Sequence, residues 1–185
     1  MKGFDDYDNV KLVKDLQPGG YICKIIDAET TVEPGKFGTL AGQFCQHLTI
    51  YIDIAEGECK DYYTDLFYGM TDKKLWKGKL NFYFPTEWDE PAKRKLKKNV
   101  ISPIEQSNPG FKWCFNEQDL RDKFVGVLFY EREWEWEEKG INGFTVTPYE
   151  LVPIEEIRNK TYKIKKSQPK QEENQPIQLP KNLPF

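Results

Sequence analysis

The stretch from Phe124 to Val152, FVGVLFYEREWEWEEKGINGFTVTPYELV, constrains the fold more than any other part of the chain. Two strand-like runs, 124–137 and 143–152, flank a turn in which Lys139, Gly140, Asn142 and Gly143 supply residues that tolerate positive φ. Side chains alternate across a strand. One face of the first run therefore carries Leu128, Tyr130, Arg132, Trp134 and Trp136, and the other carries Val125, Val127, Phe129, Glu131, Glu133 and Glu135. The first half is apolar on both faces, as in a strand crossing a sheet interior. The second half sets aromatics on one side and carboxylates on the other.

A second run, Phe44–Ile54, has the cleanest alternation in the chain, with Phe44, Leu48, Ile50, Ile52 and Ile54 on one face and Cys45, His47, Thr49, Tyr51 and Asp53 on the other. The run 60–68, KDYYTDLFY, reads as its returning partner, making 44–68 a hairpin around Ala55-Glu56-Gly57-Glu58. Upstream, Tyr21–Thr31 is rich in β-formers and follows the turn signal Gln17-Pro18-Gly19-Gly20. Residues 73–80 suit a short helix and 81–84 an extended piece. Trp88-Asp89-Glu90-Pro91 starts a longer helix, with Asp89 as N-cap and Pro91 in the first turn. Leu96, Val100 and Ile104 form its buried stripe, Pro103 should kink it, and Asn108-Pro109-Gly110 ends it.

Strand, strand, strand, helix, strand, strand is the order of an OB-fold, a mainly β architecture of five antiparallel strands in a barrel with a helix between strands 3 and 4. A generic antiparallel sandwich or an α+β sheet is the rival. The chain divides into an arm at residues 1–17, the OB-fold-like domain at 18–158, and a tail at 159–185, basic first and then Pro- and Gln-rich, which should be disordered.

Of the 185 residues, 15% are aromatic, a supply that serves core filling and ligand stacking equally. The net charge is −3, but the chain from residue 159 onward holds six Lys against two Glu, leaving −7 on the preceding 158 residues. A body that acidic excludes a generic nucleic-acid sponge, so any nucleic-acid site must be a local patch. No apolar run approaches the ~20 residues of a membrane span, and the N-terminus lacks a signal-peptide core. The expected location is therefore the cytoplasm, with no membrane partner. Cys23, Cys45, Cys59 and Cys114 form no CxxC pair and only one His is present, so neither a zinc site nor any other cofactor is expected.

The richest local patch runs from Lys73 to Lys98, with nine cations against three acids. Lys73, Lys74, Lys77, Lys93, Arg94 and Lys97 are interleaved with Trp76, Phe82, Tyr83, Phe84 and Trp88. Cations that track phosphates and rings that stack on bases are what a single strand of nucleic acid requires. The plainer reading is a solvated helix face beside core aromatics. Arg132, Trp134 and Trp136 form a second candidate, with burial beneath a flanking segment as the alternative. His47, Thr49 and Tyr51 share the polar face of their strand. Two carboxylate sets, Asp53 to Asp65 and Glu131 to Glu137, are read as a polar turn and a solvated strand face, with a metal-dependent nuclease as the remote alternative. No nucleophile signature or phosphate-cradling glycine loop occurs, so the protein is expected not to be an enzyme.

Four pieces taken together resemble a phage and prophage protein family of Gram-positive bacteria described as single-stranded DNA-binding. They are Leu16-Gln17-Pro18-Gly19-Gly20-Tyr21, Asp53-Ile54-Ala55-Glu56-Gly57-Glu58, Ser107-Asn108-Pro109-Gly110-Phe111-Lys112-Trp113, and Arg158 followed by Tyr162-Lys163. Leu183-Pro184-Phe185 is similar to the tip of bacterial and phage single-stranded DNA-binding proteins, although Lys181 and Asn182 stand where acidic residues are usual. The resemblance implies binding of single-stranded DNA in phage DNA replication and recombination, with Leu183, Pro184 and Phe185 recruiting replication or recombination proteins. The alternative is a protein-interaction adaptor. A homo-oligomer is left open.

Overall fold

The computed structural model describes residues 15–35, 41–71, 76–136 and 141–166, apart from the side chains of residues 134–136 and 141. The expected 1–17 arm falls within this only at residues 15–17, of which Leu16 is buried in the core. The 167–182 segment and the Leu183-Pro184-Phe185 tip lie outside the described residues.

Five strands form one antiparallel sheet: β1 (Gly19–Pro34), β2 (Phe44–Ile54), β3 (Lys79–Pro85), β4 (Phe124–Trp136) and β5 (Ile141–Val152), in the order β3-β2-β1-β4-β5. β1 is the centre. It pairs with β2 from Cys23 to Pro34 and with β4 from Gly19 to Lys24. The sheet is mainly β as expected, but it is not closed into a barrel. Edge strands β3 and β5 approach each other without a hydrogen-bonded ladder.

Alternation predicted β2 and the β4–β5 hairpin well. Leu48, Ile50, Ile52 and Ile54 are buried on one face of β2, while Phe44, at its start, is exposed. In β4, Val125, Val127, Leu128 and Phe129 are all buried, so its first half is covered on both faces. The core is completed by the helical run after β3: α2 (Glu90–Leu96), a π turn (Lys97–Ile101) and α3 (Ser102–Ser107). Asp89 caps α2, its side chain accepting from the Ala92 N–H at 2.8 Å. Leu96, Val100 and Ile104 face inward, as the four-residue spacing predicts. Pro103 has no N–H and its ring crowds the preceding turn. The wider π turn accommodates it, with the Ser102 N–H donating to the Lys97 carbonyl.

One expected strand is a helix. Residues 60–68 do not return beside β2; Tyr62–Gly69 is α1. The cause is Asp53, the last polar residue of β2. Its buried carboxylate accepts from the N–H groups of Ile54, Tyr63 and Thr64 at 2.8, 2.9 and 3.1 Å, and from the Thr64 hydroxyl. It thereby caps α1 across ten residues of sequence, a partner that local propensity cannot reveal. The hairpin expected over 44–68 is corrected in the same way: β2 pairs with β3 instead, from Cys45↔Pro85 to Tyr51↔Lys79. The helix expected over 73–80 is not present in its described part, where residues 76–78 are irregular and β3 begins at Lys79.

A final helix, α4 (Ile154–Asn159), was not expected. It lies on a saddle made by Gly20 and Gly126, which stand diagonally across the β1–β4 pairing, Gly20 opposite Leu128 and Gly126 opposite Ile22. A Cβ on Gly126 would stand 2.7 Å from Ile157 Cγ1, and one on Gly20 2.6 Å from Ile157 Cδ1. The Ile154 N–H donates to Ser107 Oγ at 3.1 Å, and Asn108 both donates to the Phe124 carbonyl and accepts from its N–H. Those contacts lock α3, β4 and α4 together.

Replacing Asp53 by Ala orphans three backbone donors and a hydroxyl in a buried place. We expect it to destabilise the protein by about 2–4 kcal/mol, with the midpoint of chemical denaturation falling accordingly. An unchanged midpoint would show that α1 does not depend on this cap.

Candidate nucleic-acid interface

β2 and β3 turn a row of rings away from the core. His47 lies flat on Tyr83, with ring centroids 4.3 Å apart and planes 6° from parallel. Tyr51, four residues along β2, stacks at 6.0 Å on Trp76. Between them Thr49 and Asn81 hydrogen-bond each other and His47. Pairing of β2 with β3 produces this row: His47 stands opposite Tyr83, Thr49 opposite Asn81, and Tyr51 opposite Lys79.

Two carboxylates from β1 flank the row and are engaged by it. Glu33 Oε1 stands 2.7 Å from His47 Nδ1, and Glu29 accepts a hydrogen bond from the Tyr51 hydroxyl. That bond to Glu29 pushes the Tyr51 phenol up to about 12, with burial adding to it. Desolvation raises Tyr83 as well. Both phenols are therefore neutral at physiological pH. Asp27 on the same strand pairs with Arg121 at 2.9 Å.

Cations stand along the β3 side of this row. Lys77 and Lys79 are exposed beside the Tyr51 and Trp76 end. Lys95 reaches across from α2, its ammonium donating to the Tyr83 carbonyl at 3.3 Å and standing 5.8 Å from the Phe84 ring. Lys93, Arg94 and Lys97 are exposed on the same helical run; Lys93 pairs with Glu90 at 3.1 Å and Arg94 Nε bonds back to the Glu90 carbonyl at 3.4 Å.

Trp76 is only partly available. Its indole N–H donates to the Tyr63 carbonyl at 2.8 Å and its ring packs over Gly78, so it shapes the interior as well as the surface. Lys73 and Lys74 lie outside the described residues. Arg132 is exposed on β4. Trp134 and Trp136 pair through their backbones with Gly143 and Ile141, and their side chains lie outside what is described. Near Arg132, Lys165 sits 5.7 Å from the Tyr130 ring, and the Tyr149 hydroxyl donates to the Lys163 carbonyl and accepts from the Lys165 N–H. The start of the basic tail is thus docked on the β4–β5 hairpin.

The structure therefore brings Trp76 and Lys77 together with rings that charge counting did not select, Tyr51 and His47. Their signal was the polar side of the β2 alternation. Two carboxylates of the first acidic set are engaged: Asp53 caps α1, and Glu56 lies 3.8 Å from Arg158. Among the described residues, no three His, Cys, Asp or Glu side chains are grouped so as to hold a metal ion. All four cysteines are free, and among the described residues no helix is long and apolar enough to cross a membrane. Neither protein-family models nor curated proteins give a match to the chain.

The Tyr51–Glu29 contact has a pH signature. A phenol raised above its unfolded value contributes stability that is complete below pH about 10 and is lost as pH climbs toward about 12. Glu29→Ala should return the Tyr51 titration, followed by the NMR shift of its ring carbon, toward the ordinary value near 10. A Tyr51 midpoint unmoved by this change would remove Glu29 as the cause.

Proposed function

We propose that this protein binds single-stranded DNA without catalysis, the strand lying across the outer face of β2 and β3. The observation that carries the reading is the row His47–Tyr83 and Tyr51–Trp76 on the sheet face turned from the core, with Lys77, Lys79 and Lys95 along one side of it. Rings give every base a stacking partner whatever its identity, and ammonium groups follow the phosphates. Glu29 accepts from the Tyr51 hydroxyl and Glu33 stands 2.7 Å from His47 Nδ1, contacts that hold the rings in place.

The finer fold we infer is an OB barrel left open between β3 and β5. The strand order and the helix inserted between β3 and β4 support it. By analogy of fold, OB domains hold oligonucleotides on strands 2 and 3 and on the loop joining strands 4 and 5. That loop follows Arg132, Trp134 and Trp136, which makes the β4–β5 tip the natural second contact, together with Lys163, Lys165 and Lys166. The setting we propose is phage or prophage DNA replication and recombination in a bacterial cytoplasm, with Leu183-Pro184-Phe185 recruiting partner proteins. The support for that setting is the resemblance of the four quoted pieces.

Oligo-dT titrations should give a clear preference over duplex, with the logarithm of the affinity falling by about 0.7 per phosphate neutralised for each logarithmic unit of salt. Tyr83→Ala should weaken binding by about 1–3 kcal/mol. Lys77→Gln with Lys79→Gln should weaken it and flatten the salt slope. Equal affinity for duplex and single strand, or variants that bind as the parent does, would contradict the reading.

A further inference from the structure

On the other side of β3 the sheet opens into a cleft of about 470 Å³ between β1, β2, β3, the start of α2 and the 113–117 segment. We propose that it is a nucleobase pocket that takes one unstacked base of the bound strand, an inference that rests on the strand-binding reading above.

Its walls are two aromatic pairs. Phe84 and Trp88 stand 5.3 Å apart where β3 leads into α2, and Trp113 and Phe115 stand 5.3 Å apart on the facing segment. Aromatic side chains thus line the cleft from both β3–α2 and the 113–117 segment, a lining suited to a flat ring. The size is within the range of sites for small ligands, which are typically apolar with a few placed polar groups. Here Gln46 supplies an amide and Glu117 a carboxylate that accepts from the Thr30 hydroxyl, which together offer donors and acceptors to a base edge.

Charge fixes the orientation. A carboxylate in the cleft repels phosphate, whereas Lys93 at the rim has a side chain 58% exposed and stands beside the exposed Arg94 and Lys97. Its surface ion pair with Glu90 is of the kind worth little in water and is readily exchanged for a phosphate. The base therefore enters and the backbone stays outside, along the cations that serve the β3 side.

Phe115 marks the cleft as more than a packing gap. The ring is 64% exposed, and its backbone is held at φ 64°, the left-handed region that favours glycine. The chain keeps a large apolar ring, in an unfavourable backbone conformation, at the mouth of a cavity where folding gains little from it.

The test uses the full chain and follows the indole N–H signals of Trp88 and Trp113 by NMR. Deoxyadenosine 5′-monophosphate should shift both in a saturable manner, as should a 12-residue oligo-dA. Phe115→Gly suits the positive φ and should leave the melting temperature near that of the parent while weakening the mononucleotide about tenfold, and Thr30→Trp should fill the cleft and weaken it similarly. If oligo-dA binds but the mononucleotide moves neither indole, the pocket is refuted while strand binding stands. If the mononucleotide moves them and oligo-dA does not bind, the strand reading fails and the cleft is a free-mononucleotide site, not a seat for a base of a bound strand. A Leu-Pro-Phe peptide that shifts both indoles where the mononucleotide does not would make the cleft a peptide groove and overturn the proposal.

Discussion

Everything in this molecule hangs on β1. It is 16 residues long and hydrogen-bonded on both sides, to β4 through its first part and to β2 through most of its length. The register slips between Ile25 and Asp27. A bulge of that kind bends the strand and increases its twist, and the edge strands β3 and β5 approach each other without pairing. Cys23, Ile25 and Ala28 point into the core this creates, while Asp27, Glu29 and Glu33 stand on the outer face, where they meet Arg121, Tyr51 and His47. Core and outer face are thus two sides of one strand.

An acidic body can carry a surface for nucleic acid if its carboxylates are spent on internal partners. Glu29 accepts from Tyr51 and Glu33 stands 2.7 Å from His47 Nδ1, while the cations lie on the β3 side and on α2. The outcome is a polarised surface, with neutral rings bordered by ammonium groups. The same economy of space operates at Gly20 and Gly126, where the absence of a Cβ lets Ile157 and Tyr162 lie against the sheet. The pieces quoted for the family resemblance fall largely at such joints: Gly20 in the saddle, Asp53 capping α1, Asn108 bracing α3 to β4, and Tyr162 closing over Gly20.

Where a residue's fate was decided by its sequence neighbours, it could be read from the sequence. The bounds of β2 match the alternation of Phe44–Ile54, and Asp89 capped α2 because its partner is three residues away. The segment 60–68 misled because its β-formers are local, whereas the Asp53 carboxylate that turns it into a helix arrives from the end of another element. The true partner of β2, Lys79–Pro85, was visible only as a short extended piece. The candidate site was half legible for the same reason. Counting charges located Trp76 and the lysines, but the stacking of His47 on Tyr83 and of Tyr51 on Trp76 depends on strand register, which no single segment encodes.

The path of the strand is the central claim, and photochemical crosslinking tests it most directly. An oligo-dT carrying 5-iododeoxyuridine at successive positions, irradiated in complex with the full chain and mapped by mass spectrometry, reports which rings touch bases. On that path, crosslinks are expected at Tyr51, Tyr83 or His47 on the β2–β3 face. Crosslinks confined to the β4–β5 hairpin and the segment after α4, with none on β2 or β3, would contradict it.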